Sequence, residues 1–342
     1  MHIPYMKQGI TIFFFFLIAN FLCAQGEDSN LALEPNPEFC KPGVSNKSPG
    51  KGLLIEYTYN PEFTYRPTNA EQASEVDANQ RFLSKLKIPV LYKNRVKFLL
   101  GLKYGFERYN FDDIDPENAS LFRRLNESKL KDTEVASYFI LPLNHKHYLS
   151  LRASTSFRGD YDGLISTDSK YLTYRVAGIF GIKKHKDLEY GFGVYYSRNV
   201  RRNIIFPFGL LNWTFNDRWG LEAGIPVAMR LRHNLKDGNL LMFAADYSSQ
   251  SYTVDVRNDF TTLNKPDDTF YHYRRGSIEL STSYMRHFGG WTWMQFKLGY
   301  ALNINSDAQN LATGLEYDLR PTGSIVGTVS FFLSPPKKHT HK

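Results

Sequence analysis

Residues 95–108 read RVKFLLGLKYGFER. Val96, Phe98, Leu100, Leu102, Tyr104 and Phe106 fall on even positions, and Arg95, Lys97, Leu99, Gly101, Lys103, Gly105 and Glu107 on odd ones. Side chains of an extended strand point alternately to its two faces, so this stretch has one apolar, aromatic face and one of charges and glycines. Helical spacing would mix the two sets. The segment predicts a strand with a greasy side and a wet side.

The same pattern recurs along the chain. Leu172, Tyr174, Val176, Phe180 and Ile182 oppose Thr173, Arg175, Ala177, Gly181 and Lys183. Leu188, Tyr190, Phe192, Val194 and Tyr196 oppose Glu189, Gly191, Gly193 and Ser197. Ile278, Leu280 and Tyr284 stand against Glu279, Ser281 and Ser283, and Met294 to Ile304 against Gln295, Lys297 and Gly299. A soluble sandwich alternates too, but its strands typically run about 5–6 residues. These segments run longer and carry aromatics near the ends of the apolar face, as membrane-spanning strands do. The expected fold is all-β, a transmembrane antiparallel β-barrel.

Turns and links set the strand count. Short turns fall at 92–94, 144–146, 184–186, 216–218, 236–238 and 288–290, with mostly longer polar links at 67–79, 111–130, 159–169, 199–203, 255–270 and 306–322. Short turns on one side and longer loops on the other fit a membrane barrel with an even strand number. Between Trp219 and Asn234 no polar loop appears. Pro226 lacks a backbone donor and is disfavoured inside a central strand, so a tight bend is placed there. That gives fourteen strands, with twelve as the fallback.

Around this body, Lys7, the apolar run 10–22 and the exit Cys23-Ala24 fit an export signal over 1–24. Residues 25–50 are rich in Pro, Gly, Ser and Asn and read as an extended periplasmic leader. The barrel is assigned to 51–334 and a tail to 335–342. Beyond the signal no apolar run reaches 18 residues, which excludes a helical membrane protein. With Cys23 removed, Cys40 has no intramolecular disulfide partner.

Ile325, Gly327, Val329, Phe331 and Leu333 share one parity, so the last strand carries an apolar face with an aromatic near its end. This resembles the C-terminal recognition signal of bacterial outer-membrane barrels, which implies the barrel-assembly machinery and outer-membrane lipid as partners. The stretch Leu221-Glu222-Ala223-Gly224-Ile225-Pro226 through Met229-Arg230-Leu231-Arg232 resembles a family of uncharacterised outer-membrane proteins from Bacteroidota-type bacteria. That resemblance implies a bacterial outer-membrane location and brings no activity or catalytic residues with it.

If the aromatic parity faces lipid, the opposite parity lines the lumen. Its candidates are Lys85, Lys87, Lys97, Lys103, Glu107, Arg152, Arg175, Lys183, Glu189, Glu279 and Lys297, joined by Arg158, Glu56, Glu134 and Asp246. Two readings stay open. A wet channel with a cationic wall would favour small anionic solutes. An interior salt-bridge network would plug the barrel and leave a structural or adhesive protein acting through 111–130 and 255–270. A membrane-embedded lipid hydrolase is a third class, but no G-x-S-x-G elbow or H-E-x-x-H pair occurs, and His147 and Ser150 lie on opposite parities. No catalytic residue, cofactor or metal site is expected. The net charge of +8 is scattered without a nucleic-acid motif, and anionic lipid headgroups account for it.

Overall fold

The computed structural model describes residues 39–335, apart from 69, 94, 117–118 and 257–269. The expected signal, and all of the tail beyond 335, lie outside the described residues. In chain order the elements are β1 (Leu53–Asn60), β2 (Phe63–Tyr65), β3 (Ser74–Tyr92), β4 (Lys97–Asp113), α1 (Ala119–Glu127), β5 (Leu130–Pro142) and β6 (His147–Gly159). There follow β7 (Leu172–His185), β8 (Leu188–Arg198), β9 (Asn203–Thr214), β10 (Trp219–Ile225) and β11 (Ala228–Asn234). The last are β12 (Leu240–Asp255), β13 (Phe270–Gly289), β14 (Thr292–Asn310), β15 (Glu316–Asp318) and β16 (Ser324–Leu333).

β2 and β15 are three-residue pieces paired to the loop ends of β3 and β14. The other fourteen strands close into an antiparallel barrel. β1 completes the ring by pairing with both β3 and β16, so that Leu53 stands opposite Leu86 on one side and Leu333 on the other. Closure matters because an open sheet edge in hydrocarbon would leave backbone N–H and C=O groups unpaired.

The barrel is inverted relative to a water-soluble fold. Ile278, Leu280, Leu298, Tyr300, Leu302 and Phe331 point outward and are exposed, whereas Glu279, Ser283, Thr328 and Ser330 point inward and are buried. An exposed apolar belt over a polar interior is the arrangement that a bilayer covers.

The wall is uneven in height. β3, β13 and β14 have 19, 20 and 19 residues, whereas β10 and β11 have 7 each. The bend expected at Pro226 joins the two short strands, with the Val227 N–H donating to the Gly224 carbonyl at 2.7 Å. On the tall side β12 leans across the lumen until Thr253 pairs with Gly159 of β6.

Three expectations need correction. Residues 74–79 belong to β3 and 306–310 to β14, because the tall strands continue past the outward apolar belt, where polar residues are tolerated on both faces. The link 111–130 is not simply a loop, since it contains α1, whose Leu121, Phe122 and Leu125 are buried on one face. Three large apolar residues in nine are too few to announce a helix in isolation. The leader is also not merely an approach to the barrel. From residue 39 it is folded into the barrel's mouth, held by hydrogen bonds described below.

Candidate functional site

The loop-side mouth is filled by an apolar core. Leu121, Phe122 and Leu125 of α1, Phe63 and Tyr65 of β2, and Leu319 pack against inward side chains of β3, β4, β12 and β13. The Phe122 ring lies 5.2 Å from those of both Tyr65 and Phe111. Beneath this core sits a buried polar layer centred on Glu107. Its carboxylate accepts from Tyr109 at 2.8 Å, Asn79 at 3.0 Å and Tyr252 at 3.0 Å, with Arg275 at 3.4 Å. Tyr273 links Tyr65 and Tyr109 through hydroxyl contacts of 2.6 and 2.9 Å. None of these side chains leaves a fully buried polar atom without a hydrogen-bond partner, which is what makes the layer's burial tolerable.

The turn-side mouth is closed in two halves. Around the seam, Leu54, Leu240, Met242, Met285 and Phe332 form an apolar cluster inside the lumen, with Trp293 stacked on Phe332. The other half is crossed by residues 39–52, a strap that walks around the rim. Cys40 N–H donates to Asn144 C=O at 3.0 Å, Ser45 N–H to Lys186 C=O at 2.8 Å, and Gly52 N–H to Leu333 C=O at 2.8 Å. Lys183 donates to the Lys41 carbonyl and Thr214 to that of Ser45, at 2.8 and 2.6 Å.

Two glutamates latch the strap. Glu189 Oε1 accepts the Gly43 N–H at 2.8 Å. Glu222 accepts the Ser48 N–H at 2.8 Å and its hydroxyl at 2.6 Å. Each glutamate is aimed by a large side chain lying over a glycine. Tyr148 donates to Glu189 at 2.8 Å, and its ring covers Gly181 so closely that a Cβ there would sit 2.0 Å from it. Arg232, fully buried, stands 3.2 Å from Glu222, and a Cβ on Gly220 would meet its guanidinium at 2.3 Å. Burial pushes the Cys40 thiol above its usual value, an effect that nearby Lys183 partly offsets.

Between the two closures lies a cavity of about 510 Å³. Its wall carries seven cations, Arg81, Lys85, Lys103, Arg152, Arg158, Arg175 and Arg230, against three carboxylates, Glu56, Asp132 and Glu134. Asp132 lies 2.6 Å from Lys103 and 3.2 Å from Arg158. Glu134 lies 2.6 Å from Arg152 and 3.0 Å from Arg175. A larger recess of about 760 Å³ lies on the outward face among Leu221, Phe243, Leu280 and Leu298, and belongs to the apolar belt. No group of three His, Cys, Asp or Glu side chains suited to a metal ion occurs among the described residues.

The lumen candidates read from the sequence divide among these parts. Lys85, Lys103, Arg152 and Arg175 line the cavity, and Lys87 lines a smaller adjoining one of about 310 Å³. Glu107 anchors the layer beneath the loop-side core, while Glu189 and Lys183 hold the strap. Glu279 and Lys297 pair with each other at 2.6 Å, and Lys97 lies 4.8 Å over the Tyr92 ring at the turn side. Arg81, Asp132, Glu222 and Arg232 were not among the lumen candidates, although each shares the inward parity of its strand. Parity was the available signal for them. Nothing in the sequence announced that Glu189 and Glu222 face a segment 146 and 174 residues away.

Residues 52–303 match the sequence family described as Domain of unknown function (DUF6268). The chain belongs to the DUF6268 family. A comparison with curated proteins returns no match. Among solved structures this DUF6268 barrel is similar to the β domain of the Bordetella autotransporter Brka, at 13% identity over 83% of this chain and 100% of that one, with a TM-score of 0.29. It is also similar to a Pseudomonas aeruginosa FadL homologue, at 9% identity over 82% and 89% of the two chains, with a TM-score of 0.35. At these identities the likeness concerns the barrel fold alone.

Proposed function

We propose that this DUF6268 protein is a bacterial outer-membrane barrel that passes small solutes, anions favoured, through a lumen closed at rest. The strap 39–52 is its turn-side closure, and the loop-side core is the second barrier that passage has to open. The observation that carries this reading is the strap itself. A segment rich in Gly, Ser and Pro crosses the mouth mainly on hydrogen bonds and leaves a cationic cavity behind it. Cationic linings set a preference for anions in a water-filled pore. The apolar outward belt and the closed ring of strands support a membrane location. The reading involves no catalytic step.

Conductance in planar lipid bilayers tests it. The mature chain should be mostly silent, and a chain lacking residues 39–50 and carrying Phe122→Ala with Leu125→Ala to loosen the loop-side core should conduct, with a reversal potential shifted toward anions. A shortened chain that folds as a barrel yet never conducts would remove the reading. It would favour instead a permanently plugged structural barrel, for which the apolar loop-side core is the supporting observation.

A further inference from the structure

The cavity between the closures is not a self-contained salt-bridge network. Asp132 and Glu134 are shared among four cations, Lys103, Arg152, Arg158 and Arg175. Arg230 is held by Asp246 at 3.0 Å from outside the lining set. Arg81 and Lys85 have no ion pair within 4.0 Å among the described residues. Counting Asp246, seven cations face four carboxylates.

Uncompensated charge in a confined space must be hydrated or paired, because removing it from water is costly. The donors are also incompletely used. Arg152 Nε is buried without a hydrogen-bond acceptor. Arg158, itself only 7% exposed, reaches Gln250 at 3.0 Å and Ser251 at 3.4 Å with its terminal nitrogens, while its Nε lies 3.2 Å from Asp132 without forming an aligned hydrogen bond. Guanidinium groups present forked donors that match carboxylate and phosphate oxygens two at a time. Here five of them converge with two lysines from β3, β4, β6, β7 and β11, so a guest would be gripped from opposing walls.

We infer that this cavity is a binding site for a compact polyanion, a molecule carrying two to four negative charges on phosphate or carboxylate oxygens. The charge range follows from the excess of three cations, and the size from a volume within the usual range for small-molecule sites. A singly charged ion would leave most of the excess unmatched, and a neutral sugar would meet donors already aimed at anionic acceptors. The inference names the solute class for the passage proposed above and rests on that reading for its physiological meaning, though not for its chemistry.

Calorimetric titration of the full mature chain in detergent tests it, with pyrophosphate as the phosphate arm, citrate as the carboxylate arm, and chloride and glucose as controls. Saturable binding of at least one polyanion, weakening as salt is raised, is expected. Replacing Arg81→Gln together with Lys85→Gln removes two cations without orphaning a paired carboxylate, and should weaken binding 10-fold or more. Arg158→Gln should weaken it further, provided the barrel still forms. Polyanion binding unaffected by these changes, or no more than chloride gives, overturns the site. Binding that persists in a chain lacking the strap and with its loop-side core loosened, yet without conductance, supports the site and removes the transport reading instead.

Discussion

The two mouths of the barrel are closed by different interactions. On the loop side α1, β2 and Leu319 press apolar side chains into a core where Phe122, Leu125 and Tyr65 are fully buried. On the turn side the strap contributes mostly backbone groups, received by carbonyls and by Glu189 and Glu222. Burial of large apolar side chains stabilises by a few kcal/mol each, whereas a net hydrogen bond contributes about 0.5–1.5 kcal/mol. The loop-side closure is therefore a piece of folded protein, and the turn-side closure a fastening that can come undone while the barrel stays intact.

The strongest way to break this comparison is to damage the loop-side core alone. Phe122→Ala should cost about 3–5 kcal/mol of local stability, the usual penalty for emptying a buried phenylalanine site. It should appear as faster hydrogen exchange throughout α1, with no change in maleimide labelling of Cys40. If Cys40 labelling accelerates to the same extent, the two mouths open as one unit and the distinction fails.

A second experiment attacks the fastening. Glu189→Gln with Glu222→Gln removes the charge and one acceptor oxygen from each latch, at about 1 kcal/mol per hydrogen bond lost. Labelling of Cys40 in a chain beginning at Gln25 should speed up roughly 10–50-fold at constant pH, while exchange in α1 stays the same. Loss of the Arg232 partner adds to the effect at Glu222. Unchanged labelling would show that the carboxylates do not carry the strap.

The smallest effect concerns pH. Lys51 lies over the Phe332 ring and donates to Gln295 at 2.8 Å, and burial lowers its pKa to about 8 despite the opposing pull of Glu56. Arg230, Lys297 and Lys85 lower it as well. A released strap would return Lys51 toward the ordinary lysine value of 10.5. Between these values the released form binds more protons, so docking strengthens as pH rises from about 8 toward 10.5 and is constant below that window. Channel openings should become rarer across that range, and Lys51→Met should abolish the dependence.

Much of this architecture was legible in the chain. Alternation at 95–108 and its repeats announced strands with one greasy face, and Pro226 announced the bend that makes the count fourteen. Parity alone placed Lys103, Arg152 and Arg175 on the inner wall. Three parts were not legible. The overrun of β3 and β14 lies where the solvent contrast between faces disappears, so alternation no longer reports the strand. The helix α1 is stable through what it packs against rather than through its own nine residues. The strap has no periodic signal, since its bonds come from main-chain groups that every residue type possesses.

The sequence by itself therefore determined which residues form the outward apolar face and which face the lumen, because a period of two is written directly in side-chain polarity. Only the tertiary structure decided what happens inside. Which carboxylate serves a cation, which serves the strap and which serves a tyrosine layer depends on distances across the barrel. Those distances follow from closure of the ring, which brings Gly43 to Glu189 and Arg158 to Gln250 across 146 and 92 residues of chain.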